Sequence, residues 1–329
     1  MLVYHKIKFF VQLATLYKFL SFRFMEAIKA TMRLVATLIV EPNDYLLTVN
    51  NVDLIRKQFE KIGASNPTIK WLADNIACDI TFDRDNLKLF QKALKKLELP
   101  GPIDVIVQTT NNRKKKLLLA DMDSTIVTGE TLDELATQAN IKNKVARITQ
   151  RAMNGEIDFK SALRERVSLL AGMPVSALKV TLEQLKLTNG ARTLVQTMRE
   201  NGAYTVLLSG GFKFFSSYVA KLVGFHEERS NDLIINNQLL TGEVVEPILD
   251  ANSKLEALHV YSSKQNISKE LAIAVGDGAN DLPMLLEAGV GVAFRAKEYV
   301  EQLSPAVMRH SDLTGLLYIQ GYLRDEFKG

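Results

Sequence analysis

Residues 117–127 read Leu117-Leu118-Leu119-Ala120-Asp121-Met122-Asp123-Ser124-Thr125-Ile126-Val127. Four apolar residues in a row, without polar alternation, suit a strand covered on both faces, as in a parallel sheet flanked by helices. The run stops on two carboxylates, Asp121 and Asp123. In an open parallel sheet, groups just past the carboxyl end of a strand are where ligands meet the chain. One segment therefore predicts both a fold class and a place for chemistry. Outward from it, residues 204–208, 271–275 and 290–294 are further short apolar runs separated by helical stretches. This alternation predicts an α/β architecture with a doubly wound parallel sheet. Helical periodicity dominates residues 132–198, which predicts a helical cap inserted after Val127, at about 128–198, running into the crossover helix.

Two more predicted strand ends carry reactive groups. One gives Ser209-Gly210-Gly211 and the other Gly276-Asp277-Gly278-Ala279-Asn280-Asp281. A carboxylate can attack phosphorus and split one hard hydrolysis into two easier steps. A second carboxyl group two residues on can protonate the leaving oxygen and later activate water. A phosphate dianion does not approach bare carboxylates, so this chemistry calls for an oxygen-ligated divalent cation such as Mg²⁺, with Asp277 as the distal carboxylate. Ser209 and the glycines after it can offer a hydroxyl and main-chain N–H groups to phosphoryl oxygens, and Lys254 can neutralise remaining charge. Taken singly, Ser-Gly-Gly is a tight turn and Lys254 a surface lysine. Together, and each placed after a buried strand, the three strings point to phosphoryl chemistry. A P-loop and a complete Gly-x-Gly-x-x-Gly are absent, which argues against an NTPase or a dinucleotide-dependent oxidoreductase.

Residues 32–110 read β-α-β-β-α-β, a ferredoxin-like α+β domain. After it, residues 111–116 form a polar run expected to be a solvated linker, and residues 111–329 the α/β domain. Residues 1–31 are a basic extension of uncertain role, too interrupted by polar residues to span a bilayer as one apolar helix. The 329 residues include 41 Lys and Arg against 37 Asp and Glu, and a net charge of +4 gives no nucleic-acid footprint. A single cysteine, Cys78, excludes an intrachain disulfide, and four scattered histidines make a zinc site improbable.

These residues resemble the haloacid dehalogenase superfamily, with its four motifs at Asp121 to Thr125, Ser209, Lys254 and Gly276 to Asp281. More narrowly, residues 117–317 are similar to the bacterial phosphoserine phosphatase family, through the continuation to Glu130, through Met153 and Phe159, and through Leu163-Arg164-Glu165-Arg166-Val167-Ser168-Leu169-Leu170. One departure is Leu255, where the family often has a small residue after the lysine. The resemblance implies hydrolysis of O-phospho-L-serine, the last step of L-serine biosynthesis, with Asp121 as nucleophile and Asp123 as general acid and base. It implies Mg²⁺ held by Asp121, the main chain of Asp123 and Asp277, with Asp281 in support. It assigns Glu130 to the substrate ammonium, Arg166 to its carboxylate, Ser209, Gly210, Lys254 and Asn280 to substrate binding, and Met153 and Phe159 to closing over the site. Glu130 and Arg166 do offer one partner of each sign that phosphoserine requires.

The alternatives are a phosphotransferase of the same fold with an alcohol acceptor such as homoserine, or an amino-acid-sensing regulatory protein. A cytoplasmic enzyme is expected, with no nucleic-acid partner and no stable membrane insertion; a homodimer is left open. Every residue assigned to the reaction lies between Asp121 and Asp281. A chain beginning near Lys114 is therefore expected to keep its activity if it stays soluble.

Overall fold

From Met32 the chain forms β1 (Met32–Ile39), α1 (Val49–Lys61), β2 (Ser65–Ala73), β3 (Ala77–Arg84), α2 (Leu87–Leu94) and β4 (Asp104–Thr109). The structure is a computed structural model that describes residues 32–153 and 156–329; the extension at 1–31 lies outside the described residues. The order is the β-α-β-β-α-β expected, in an antiparallel sheet ordered β2-β3-β1-β4. Local chemistry starts both helices. Thr48 and Asn51 form a capping box before α1, and the Asn86 side chain accepts from Leu89 N–H before α2. Phe59, Phe82 and Phe90 meet between the helices and one sheet face, with ring centroids 4.6–5.8 Å apart.

The second region continues with β5 (Leu117–Asp121), α3 (Thr131–Gln138), α4 (Lys142–Met153), α5 (Phe159–Ser168), α6 (Val175–Gln184) and α7 (Ala191–Glu200). Then come β6 (Tyr204–Phe212), α8 (Lys213–Val223), β7 (Glu227–Asn231), the hairpin β8 (Leu233–Asn236) and β9 (Leu239–Val244), and α9 (Ala251–Lys264). The chain finishes with β10 (Ala272–Gly276), α10 (Leu282–Glu287), β11 (Val290–Phe294), α11 (Glu298–Leu303), β12 (Ala306–Met308) and α12 (Gly315–Ile319). The six-stranded sheet is parallel, ordered β12-β11-β10-β5-β6-β7. Leu117 to Ala120 are fully buried in its middle. Register then places the site: Ala120 pairs with Leu207 on one side and Val275 on the other, so the chain leaves β5, β6 and β10 at one level. The sequence did not show the edge strands β7 and β12 or the hairpin, whose short or polar runs carry no buried-strand signature.

Two limits move. Thr128 N–H bonds Lys186 C=O and Thr188 N–H bonds Ile126 C=O, a stem that closes the cap near Leu187 and not near 198. Beyond it, α7 buries Leu194, Val195 and Met198 with the core. The 111–116 run is no plain solvated linker either. Arg113 donates to both oxygens of Asp79 at 2.6 and 2.7 Å, to Thr37 and to Ile319 C=O. Lys115 is buried, with its ammonium on Glu270 C=O at 2.8 Å. Asp104 of β4 accepts from the main-chain N–H groups of Arg309 and Ser311 and from the Ser311 hydroxyl, at 2.7–2.9 Å. Ile39, Leu72, Ala77 and Ile106 share one buried core with Leu118, Tyr318 and Ile319. This packing makes solubility the condition on which a chain beginning near Lys114 depends.

Candidate active site

After β5 the chain makes one tight turn over Met122–Ile126, with Ser124 in the left-handed region at φ 55°. Val127 N–H returns to Met122 C=O and Ser124 N–H reaches Gly129 C=O. The turn brings the start of α3 against the two aspartates. Thr131 N–H donates to Asp123 Oδ1 at 2.8 Å, and the Ser124 hydroxyl donates to Glu130 Oε1 at 2.7 Å. Neither contact was legible beforehand, because each joins residues across a turn whose path the sequence leaves open.

From β6, Ser209 Oγ lies 3.3 Å from Asp123 Oδ2 and accepts from Gly211 N–H at 2.9 Å. A Cβ at Gly211 would stand 3.0 Å from both the Asp123 carboxylate and Ser209 Oγ, so glycine lets the backbone come this close. From α9, Lys254 Nζ sits 2.5 Å from Asp121 Oδ1 and 2.6 Å from Asp281 Oδ1, all three groups buried. Gly278 N–H donates to Asp281 Oδ2 at 3.0 Å. Asp281 is thus fully engaged, and it holds Lys254 against Asp121. The despised surface reading of Lys254 fails on this burial, and Leu255 beside it is no obstacle to the contact.

Electrostatics follow from burial. The Asp121 carboxyl is pushed well up by burial and by neighbouring Asp281, with Lys254 opposing. Burial and Glu130 push Asp123 up to about 6. Burial and Asp281 push Asp277 up to about 6 as well. Burial alone would depress the Lys254 ammonium, but Asp121 and Asp281 outweigh it and hold the group charged. Asp121, Asp277 and Asp281 each offer a carboxylate oxygen within 4.8 Å of the others. Among the described residues the Asp277 side chain accepts no hydrogen bond. Three buried carboxylates against one ammonium form a hard oxygen donor set with excess negative charge, which fits a divalent cation such as Mg²⁺.

A cavity of about 780 Å³ opens over these groups. Asp121, Asp123, Gly210, Asp277 and Asn280 line its floor, and Glu130, Phe159 and Arg166 line the cap side. The Phe159 ring lies against Gly210, 3.3 Å from where a Cβ would stand. Arg166 is half-buried and held down from its usual basicity by desolvation, while the charges of Asp133 and Glu130 oppose that shift. Among the described residues its guanidinium makes one hydrogen bond, from Nε to Ala162 C=O of its own helix at 3.3 Å. Met153 ends α4, and its side chain lies outside the described residues. The remaining site residues of the sequence reading line this cavity, except Ser209, Lys254 and Asp281: Ser209 touches Asp123, and Lys254 bridges Asp121 and Asp281. Asp133, Asp250 and Lys297 line the same cavity without having been singled out.

A model of the haloacid dehalogenase-like hydrolase family matches residues 118–286. The phosphoserine phosphatase of Archaeoglobus fulgidus is 40% identical over 235 residues, 71% of this chain and 68% of that protein. The phosphoserine phosphatase of Saccharomyces cerevisiae is 33% identical over 290 residues, 85% of this chain and 94% of that protein. Among solved structures, a phospho-aspartyl intermediate analogue of phosphoserine phosphatase is 35% identical with a TM-score of 0.59, covering 62% of this chain and 98% of that one. The likeness therefore reaches an archaeal and a yeast protein, beyond the bacterial relatives that the sequence suggested.

Proposed function

The chain belongs to the haloacid dehalogenase-like hydrolase family, and on that premise we propose that it hydrolyses O-phospho-L-serine to L-serine and phosphate. The observation that carries this reading is the Asp121 carboxylate, fixed 2.5 Å from Lys254 on the floor of a cavity whose cap side bears Glu130 and Arg166. One end of that cavity suits a phosphate, the other an ammonium and a carboxylate. Asp121 attacks phosphorus and becomes an aspartyl-phosphate. Asp123 gives its proton to the departing seryl oxygen and then takes one from the water that opens the aspartyl-phosphate. A carboxyl group raised to about 6 serves both directions near neutral pH.

Ser209 Oγ, Gly210 N–H and Lys254 hold the phosphoryl oxygens, with Asn280 beside them. Glu130 takes the ammonium and Arg166 the carboxylate, while Phe159 covers the reacting groups. Mg²⁺, held by Asp121, Asp277 and the main-chain carbonyl of Asp123, would neutralise phosphate charge and fix the phosphoryl group for in-line attack. Asp281 acts through Lys254. The only cysteine is buried and unpaired, which suits a reducing, cytoplasmic setting. Among the described residues no helix is long and apolar enough to cross a membrane.

Phosphate release from a panel of phosphorylated amino acids and sugars, with and without Mg²⁺, tests the reading. Release from phosphoserine above the rest, lost on chelation, is expected. Phosphohomoserine formed when homoserine is supplied would move the assignment to a phosphotransferase. No release from any phosphomonoester would leave a regulatory protein.

A further inference from the structure

Helix α5 presents two faces with different duties. Phe159 and Arg166 turn to the cavity, whereas Lys160 and Arg164 are ion-paired with the segment that leads into α9. Lys160 Nζ lies 3.3 Å from Asp250 Oδ2. Arg164 directs Nε and a terminal N–H group onto Glu246 Oε1, at 3.1 and 2.6 Å. Asp250 in turn caps α9 through Ser253 N–H, and one turn later α9 delivers Lys254 to Asp121. The two ends of α5 are held differently. Its carboxyl end rests on the β8–β9 hairpin, where a Cβ at Gly242 would meet Ser168 and Ala171 within 3.3 Å. Its amino end, which carries Phe159 over Gly210, has Lys160 on Asp250, and its middle has Arg164 on Glu246.

We propose that Arg164 with Glu246, helped by Lys160 with Asp250, is a positioning joint that sets the carboxylate-binding wall of the cavity in register with the phosphate-binding floor. Neither Arg164 nor Glu246 lines the cavity, so they act through α5. The proposal rests on the phosphoserine reading only for its substrate contrast. A ligand with both a carboxylate and a phosphate must reach Arg166 and Lys254 at once, so it feels a loosened joint more than a phosphate ester without a carboxylate does.

E246Q removes the charge but keeps an oxygen for Ile248 N–H, which Glu246 Oε2 now receives at 3.1 Å. It is expected to raise KM for phosphoserine about two- to fivefold, with less than a twofold change for p-nitrophenyl phosphate. Adding K160Q is expected to bring the rise to about tenfold. The exchange R164E/E246R should recover most of the loss, and 0.5 M salt should shrink the gap between parent and variant. Amide hydrogen exchange over residues 159–166 gives a readout without substrate, and E246Q should speed it. Unchanged exchange, equal losses on both substrates, or an exchange variant no better than R164E alone would each overturn the joint. Failure of the parent to hydrolyse phosphoserine would instead overturn the functional reading, and the exchange rates would still decide the joint.

Discussion

The region from β1 to β4 and the region from β5 onward keep their information in different places. In the second, meaning is concentrated at strand ends: Asp121, Asp123, Ser209, Asp277 and Asp281 announce chemistry by type and spacing. In the first, no residue lines the catalytic cavity, yet it is fastened to the second by Asp79 on Arg113, Asp104 on residues 309–311, and a shared apolar core. Chemistry is thus written locally, whereas attachment is written in pairs far apart along the chain. The two regions should therefore fail differently.

The largest effect belongs to the strand ends. Asp121→Asn keeps the shape of the side chain but removes the anionic nucleophile, and should cut turnover on every phosphomonoester by at least about 10⁴-fold. Circular dichroism should still show a folded protein. A folded variant with substantial turnover would break the assignment of chemistry to this carboxylate.

Substrate identity comes next. If Arg166 takes the substrate carboxylate, Arg166→Ala should leave it unmatched, a loss of about 2–5 kcal/mol in kcat/KM on phosphoserine, with p-nitrophenyl phosphate nearly untouched. Glu130→Gln should show the same selectivity through the ammonium. Equal losses on both substrates would make these residues supports of the fold.

Changes in the first region should do the reverse. Asp79→Ala leaves the Arg113 guanidinium without its buried partner, at a cost of about 3–5 kcal/mol and a melting point lower by about 5–10 °C. At 20 °C its kcat/KM should match the parent. A chain beginning at Lys114 should do worse still, exposing Tyr318 and Ile319 and losing soluble yield. Soluble, stable and active protein from that start would restore the independent catalytic domain read from the sequence.

The smallest effect is a pH-dependent response to metal. Asp123 and Asp277 have folded pKa values raised to about 6, above those of free carboxylates. Their protonated forms therefore favour the metal-free fold below about pH 4, and that contribution is lost as pH rises through 6. If Mg²⁺ is held by the ionised Asp277 side chain, its gain in melting temperature should be near zero at pH 5 and several degrees at pH 7.5, about 3 kcal/mol at a hundredfold excess over Kd. Equal gains at both pH values would remove Asp277 from the metal site.

Much of the second region was readable beforehand because its signals are short-range. A buried parallel strand needs four apolar neighbours, and a nucleophile with its acid needs a spacing of two. The first region's six elements were also readable, since periodicity and caps such as Thr48 and Asn86 are local. The polar run at 111–116 was misread for the opposite reason. Arg113 and Lys115 look solvated until Asp79, Ile319 and Glu270 are in place around them. The cap limit moved because a helix in the cap and a helix on the sheet share one period.

Sequence alone determined the fold class and nominated the reactive set, because residue type fixes what a carboxylate, hydroxyl or ammonium can do and strand chemistry fixes where it emerges. The tertiary structure decided how these groups are wired. The Lys254 ammonium lies between Asp121 and Asp281, 133 and 27 residues away, and only the register of β5 with β6 and β10 brings their elements to one place. It decided, too, that Asp123 is held by Thr131 N–H, that α5 is tied to the approach to α9, and that two apparent domains share a core. Each of these depends on distances between segments remote in the chain. Such distances are set by the packing of whole elements, which the type and spacing of residues within one segment do not encode.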